Sequence, residues 1–144
     1  MSKIYDGRQA AAFAGMKGDS GDDRVETFAA ETNIPFGTIV TVGTKPTQAK
    51  LGGTAAIGIA LHSHAVVGQY VKFDAVSVMT RGLAWCAVKG DDAVTERGAV
   101  KFDPATGLVS DAASTALPNA IFRSGVVSTP YGKIALVELH APQK

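Results

Sequence analysis

The chain has 144 residues, the length of one ordinary domain, which at that size buries about two thirds of its unfolded surface and folds without a staple. Its 14 Lys and Arg against 13 Asp and Glu leave a net charge of +1, so the electrostatic footprint of a nucleic-acid binder is missing. The single cysteine, Cys86, rules out an internal disulfide, a four-thiolate zinc site and a Cys-x-x-Cys redox pair.

In chain order, residues 1–33 stand apart. They carry Lys3, Asp6, Arg8, Lys17, Asp19, Asp22, Asp23, Arg24, Glu26 and Glu31, with large apolar residues spaced singly among them at Ile4, Tyr5, Phe13, Met16, Val25 and Phe28. A helical period fits only residues 9–16, where Gly15 and Gly18 end it. The segment reads as an extended N-terminal arm, and lone apolar anchors in polar sequence suit a strap on a neighbouring surface. The apolar run at residues 10–14 follows Asp6 and is too short for a signal-peptide core.

From Ile34 the pattern turns to strands. Pro35 cannot donate to a ladder and holds Ile34 extended, so Ile34-Pro35-Phe36-Gly37 reads as a corner leading into a strand at residues 38–42, with Gly43 and Pro46 marking the next turn. Further strands are predicted at residues 55–61, 70–73, 75–79, 83–88, 99–102, 120–127 and 133–139. The stretch at 55–61 contains Gly58 and is too short to cross a bilayer. In residues 70–73 the alternation predicts Val71 and Phe73 inward, Tyr70 and Lys72 outward. Residues 83–88 are apolar on both faces and predict a central strand, with Trp85 and Cys86 in the core. The last strand is apolar except for Glu138, which ties the C-terminus into the core. Residues 111–118 offer one or two helical turns, from an N-cap-like Asp111 to Pro118. Val71-Lys72-Phe73-Asp74 recurs as Val100-Lys101-Phe102-Asp103, the mark of two similar hairpins if it is a repeat.

Short strands at even spacing, with sixteen glycines and six prolines between them, predict an all-β fold, a small β-sandwich or barrel over residues 34–144.

Chemical motifs are few. Gly18-Asp19-Ser20-Gly21 looks like a serine-protease nucleophile segment, but no His precedes Ser20 and only 19 residues do, so the triad has no base. His62 and His64 flank Ser63 after a strand and supply half a metal site, which is not a site; titrating near neutrality, they are candidates for pH sensitivity at an interface. Asp19, Asp22 and Asp23 lack the order of a calcium loop. Asp91, Asp92 and Glu96 read as a hairpin tip, and Cys86 has no base beside it. No phosphate-cradling loop or His-Glu-x-x-His occurs. The residues thus predict no enzyme, cofactor or metal.

The ordered series Ile34-Pro35-Phe36-Gly37 and Val40, Gly58-Ile59-Ala60-Leu61-His62, Tyr70, Val76-Ser77-Val78 with Gly82 and Trp85, Ala120-Ile121-Phe122, and Ala135-Leu136-Val137-Glu138-Leu139 resembles the structural cement, or decoration, proteins of tailed bacteriophage capsids. The resemblance runs from about Phe13 to Leu139. Where such proteins often have Gly-Asp after the tyrosine, this chain has Phe73-Asp74-Ala75. The resemblance implies a jelly-roll-like sandwich or barrel without catalysis, made in the host cytoplasm and bound to the outside of the virion. Its partners would be the major capsid protein, whose neighbouring capsomers it bridges, and itself as dimer or trimer, with neither nucleic acid nor membrane. On that reading Ile4, Tyr5, Phe13 and Met16 are the expected contacts to capsid or subunit. The competing expectation is a small β-barrel module that holds a carbohydrate or other ligand on loops such as residues 111–119.

Overall fold

Short stretches of Val, Ile, Ala and aromatic residues, parted by turn formers, fold as strands in the computed structural model, which describes residues 12–140. In order they are β1 (Lys17–Ala30), β2 (Ile34–Pro35), β3 (Ile39–Val42), β4 (Gln48–Lys50), β5 (Ala56–Ala60), β6 (Gln69–Tyr70), β7 (Ala75–Ala87), β8 (Ala99–Phe102), β9 (Val109–Ser110), β10 (Thr115–Phe122), β11 (Val127–Thr129) and β12 (Gly132–His140). No helix occurs among the described residues, and the all-β expectation holds.

Five strands close into a barrel. β1 runs parallel to β4, β4 is antiparallel to β3, β3 to β5 and β5 to β7, and β7 returns to β1. Closure leaves this part of the sheet without an edge. β7 outruns the barrel, and from Arg81 onward it pairs with β12. The other edge of β12 takes β10 and β11, and β8 and β9 follow beyond β10. A separate ribbon joins β2 to β6 through Ile34 opposite Tyr70 and Pro35 opposite Gln69.

Two cores result, and a bulge in β5 serves both. Val40 pairs with Gly58 but Thr41 pairs with Ala56, so Ile57 is an extra residue. Ile57 and Ala60 join a cluster with Ile34, Val40, Tyr70, Val76 and Val78. Ala56 and Ile59 join the other, with Met79, Cys86, Phe102, Phe122, Val137 and Leu139.

Several expectations change. Within residues 1–33, read as an arm, residues 17–30 are β1, bonded along β7 from Lys17 opposite Ala84 to Ala29 opposite Ala75. Pairing rather than apolar content makes this segment a strand, so strand formation begins at Lys17 and not at Ile34. The strands predicted at 75–79 and 83–88 are one, because pairing continues through Gly82 opposite Leu139. Trp85 is only half-buried; the buried side of that stretch is Ala84, Cys86 and Val88.

Tyr70, Val71 and Phe73 are inverted relative to the alternation, while Lys72 is exposed as expected. Tyr70 is 1% exposed, while Val71 and Phe73 are 48% and 78% exposed. The Tyr70 hydroxyl donates to the Leu61 carbonyl, which satisfies its polar end inside, and the strand ends there because Phe73 turns at φ 79°. Phe102, its counterpart in the repeated tetrapeptide, is fully buried in β8, so the two copies are not equivalent hairpins. Residues 111–118 are a turn and the start of β10, not a helix. Asp111 caps no helix; its carboxylate accepts from the Thr95 amide and hydroxyl at 3.1 and 2.6 Å.

Candidate functional site

The corner between β2 and β3 organises an apolar surface groove. Gly37 turns with φ +77°, its N–H donates to the Ala60 carbonyl at 2.7 Å, and its carbonyl accepts from the Ala87 N–H at 2.9 Å. The segment ahead of β1 is threaded against this corner. Gly15 N–H donates to Trp85 O at 2.8 Å, Trp85 N–H to Met16 O at 2.9 Å, and His62 N–H to Gly15 O at 3.0 Å. Gly15 also has positive φ, +85°, and a Cβ there would lie 2.6 Å from the His62 nitrogen. A Cβ on Gly37 would lie 2.7 Å from the Ala14 Cβ and 2.8 Å from the Gly15 nitrogen. Only glycine permits backbones to meet this closely in the left-handed region.

Aromatic rings pack around the joint. His62 meets Phe13 at 4.8 Å, Phe36 at 4.7 Å and His64 at 4.7 Å between ring centroids, each edge-to-face, and Phe36 meets Tyr70 at 5.2 Å. Above them lies a groove of about 460 Å³ walled by Phe13, Phe36, His62, Val66 and Tyr131. Tyr131, at the tip of the β11–β12 hairpin, is 87% exposed, and Val67 beside the groove is 98% exposed. Burial first, and the neighbouring His64 second, hold the His62 imidazole below its ordinary value of 6.5. Past the other end of the β2–β6 ribbon, Phe73 stands outward from a turn fixed by its N–H to Ala30 O at 2.8 Å and by the Val71 N–H to the Asp74 carboxylate at 2.9 Å.

Of the predicted contact residues, Phe13 forms a groove wall and Met16 is half-buried, its backbone tied to Trp85. Ile4 and Tyr5 lie outside the described residues. Phe36, Val66 and Tyr131 were not singled out as contacts by sequence. Tyr131 carried a signal, an aromatic inside the turn Pro130-Tyr131-Gly132, which a hairpin must present to solvent.

Elsewhere several charged groups are paired. A second cleft of about 280 Å³ is lined by Asp19, Arg81, Arg123, Glu138 and His140. Within it Glu138 binds Arg123 and His140 at 2.7 Å each, and Arg123 above all holds the Glu138 carboxyl below its usual range. Asp91 is bound by Lys133 at 2.6 Å and is held low by it. Burial pushes the Cys86 thiol far up, which makes it an inert core side chain. Among the described residues no three His, Cys, Asp or Glu are grouped to hold a metal ion, and no helix is long and apolar enough to cross a membrane. The site offers adhesion chemistry: exposed aromatic and aliphatic surface on a rigid corner.

The structural cement protein family matches residues 1–140. No curated protein shows a significant match. Among solved structures, a chain from the capsid of Myoviridae phage XM1 has a similar fold, with a TM-score of 0.76 over 92% of this chain and 92% of that one at 16% identity.

Proposed function

This chain belongs to the structural cement protein family, and on that premise we propose that it is a virion protein that binds the assembled shell of the major capsid protein, on its outer surface, and bridges neighbouring capsomers. The observation that carries this is the family match along nearly the whole chain. The groove supports it, because exposed aromatic and aliphatic residues on a rigid frame are the anchors from which protein–protein interfaces draw most of their energy. Phe13 and Met16, with Ile4 and Tyr5 ahead of them, are proposed to hold a capsid or adjacent subunit, and self-association as dimer or trimer follows the symmetry of a shell. One interface of standard size binds moderately, but binding only the assembled form stabilises that form by mass action, and many copies multiply the effect.

The test is cosedimentation with expanded empty shells. Saturable attachment at a fixed number of copies per shell is expected, weakened by Phe13→Asp. No attachment at saturating protein would overturn the reading. The aromatic groove also favours a second reading, a carbohydrate- or ligand-binding module. A ligand that raised the melting temperature of a protein unable to attach to shells would select it.

A further inference from the structure

His62 does two things at the joint described above. Its backbone N–H holds the Gly15 carbonyl at 3.0 Å, and its ring fills the space between Phe13 and Phe36. Among the described residues, the groups that face it are apolar or neutral side chains and a second imidazole. Residues 12–16 present Phe13 and Ala14, and the β2–β3 corner presents Pro35 and Phe36. The loop after β5 presents His64 and Val66. From β6 comes Tyr70, whose hydroxyl is committed to Leu61 O. The β11–β12 hairpin contributes Tyr131, and β7 meets the joint through Ser77 and Trp85 by main-chain bonds to Leu61, Gly15 and Met16. None of these is a carboxylate. A proton on His62 therefore places a charge in a largely apolar wall, beside His64, with no anion among the described residues to answer it.

We propose that His62 is an acid-sensitive clasp: its neutral ring fastens residues 12–16 to the barrel, and its protonation loosens that segment, with the point where residues 1–11 join, before the barrel itself melts. The direction follows from linkage. Burial and His64 lower the affinity of the folded state for the proton relative to the unfolded chain, so the clasp is at full strength above about pH 6.5 and weakens as the pH falls below it.

Amide hydrogen exchange of the full chain at about pH 7.5 and about pH 5, corrected for intrinsic rates, tests it across the range in which an imidazole titrates. The amides of Gly15, His62 and Trp85 report the three bonds of the clasp; those of Ile39 and Ala60, bonded to Gly107 O and Thr38 O, report the barrel. Selective loss of protection at Gly15, His62 and Trp85 at the lower pH is expected, and His62→Phe, which keeps an aromatic ring without a proton, is expected to abolish that loss. Unchanged protection, or an equal loss across the barrel, overturns the proposal. If His62→Phe does not fold, an NMR titration of the wild-type imidazole decides: a midpoint below about 6.5 supports the clasp, and one at or above it overturns it.

Discussion

At Tyr70 a single hydroxyl sets the local arrangement. Strict alternation put this residue outside, because Lys72 shares its parity and Lys72 belongs in water. What alternation does not carry is a carbonyl brought up from another segment, and the Leu61 carbonyl takes the Tyr70 O–H inside. Tyr70→Phe keeps the ring against Phe36 but leaves that buried bond unmade, and should cost about 1 kcal/mol of stability in chemical denaturation. Gly37→Ala is a sharper test of the corner. It meets both a positive φ and the Gly15 and Ala14 atoms within 3 Å, so a loss of about 1–3 kcal/mol is expected, at least the cost of one strained residue. Phe13 was singled out by sequence as the one large side chain in the alanine run at residues 10–14. Its neighbours in the groove were not, because Phe36, Val66 and Tyr131 come from three loops that only the barrel brings together.

At the scale of elements, β12 joins the barrel to the outer strands, paired with β7 on one edge and with β10 and β11 on the other. A chain ending before Ile134 should show no cooperative thermal transition, and a truncated chain that still melts cooperatively would contradict this role. β1 makes the opposite lesson. Its sequence is polar and glycine-bearing, and nothing in Lys17, Asp19 or Arg24 announces a strand; its place is set by the unfilled edges of β7 and β4, which come together only once β3, β4, β5 and β7 have paired. Deleting residues 1–33 removes β1, opens the barrel and should abolish the transition. β3, β5, β8 and β12 were read close to their observed bounds, since each is an apolar run between turn formers. The stretch before Phe122 was not, because Ala-rich sequence ending at Pro118 has helical character, yet Leu117 and Phe122 have a core to enter and Pro118 sits exposed at the register shift between Ala116 and Ile121.

For the whole molecule, the near-neutral charge and the inert cysteine fit the structural role of the cement family. Its acid stability rests partly on Glu138, whose carboxyl Arg123 holds low. A depressed carboxylate contributes stability that is present above its unfolded pKa, 4.5, and is lost as the pH falls through the lower folded value. Glu138→Gln should therefore melt earlier than wild type at neutral pH, with the gap closing in strong acid. Resistance of the shell is the property that cementing must change. The direct measurement is the temperature at which DNA-filled capsids release their genome, with the protein absent and at full occupancy. Cementing predicts release at a higher temperature in step with occupancy, and full occupancy with an unchanged release temperature would contradict it.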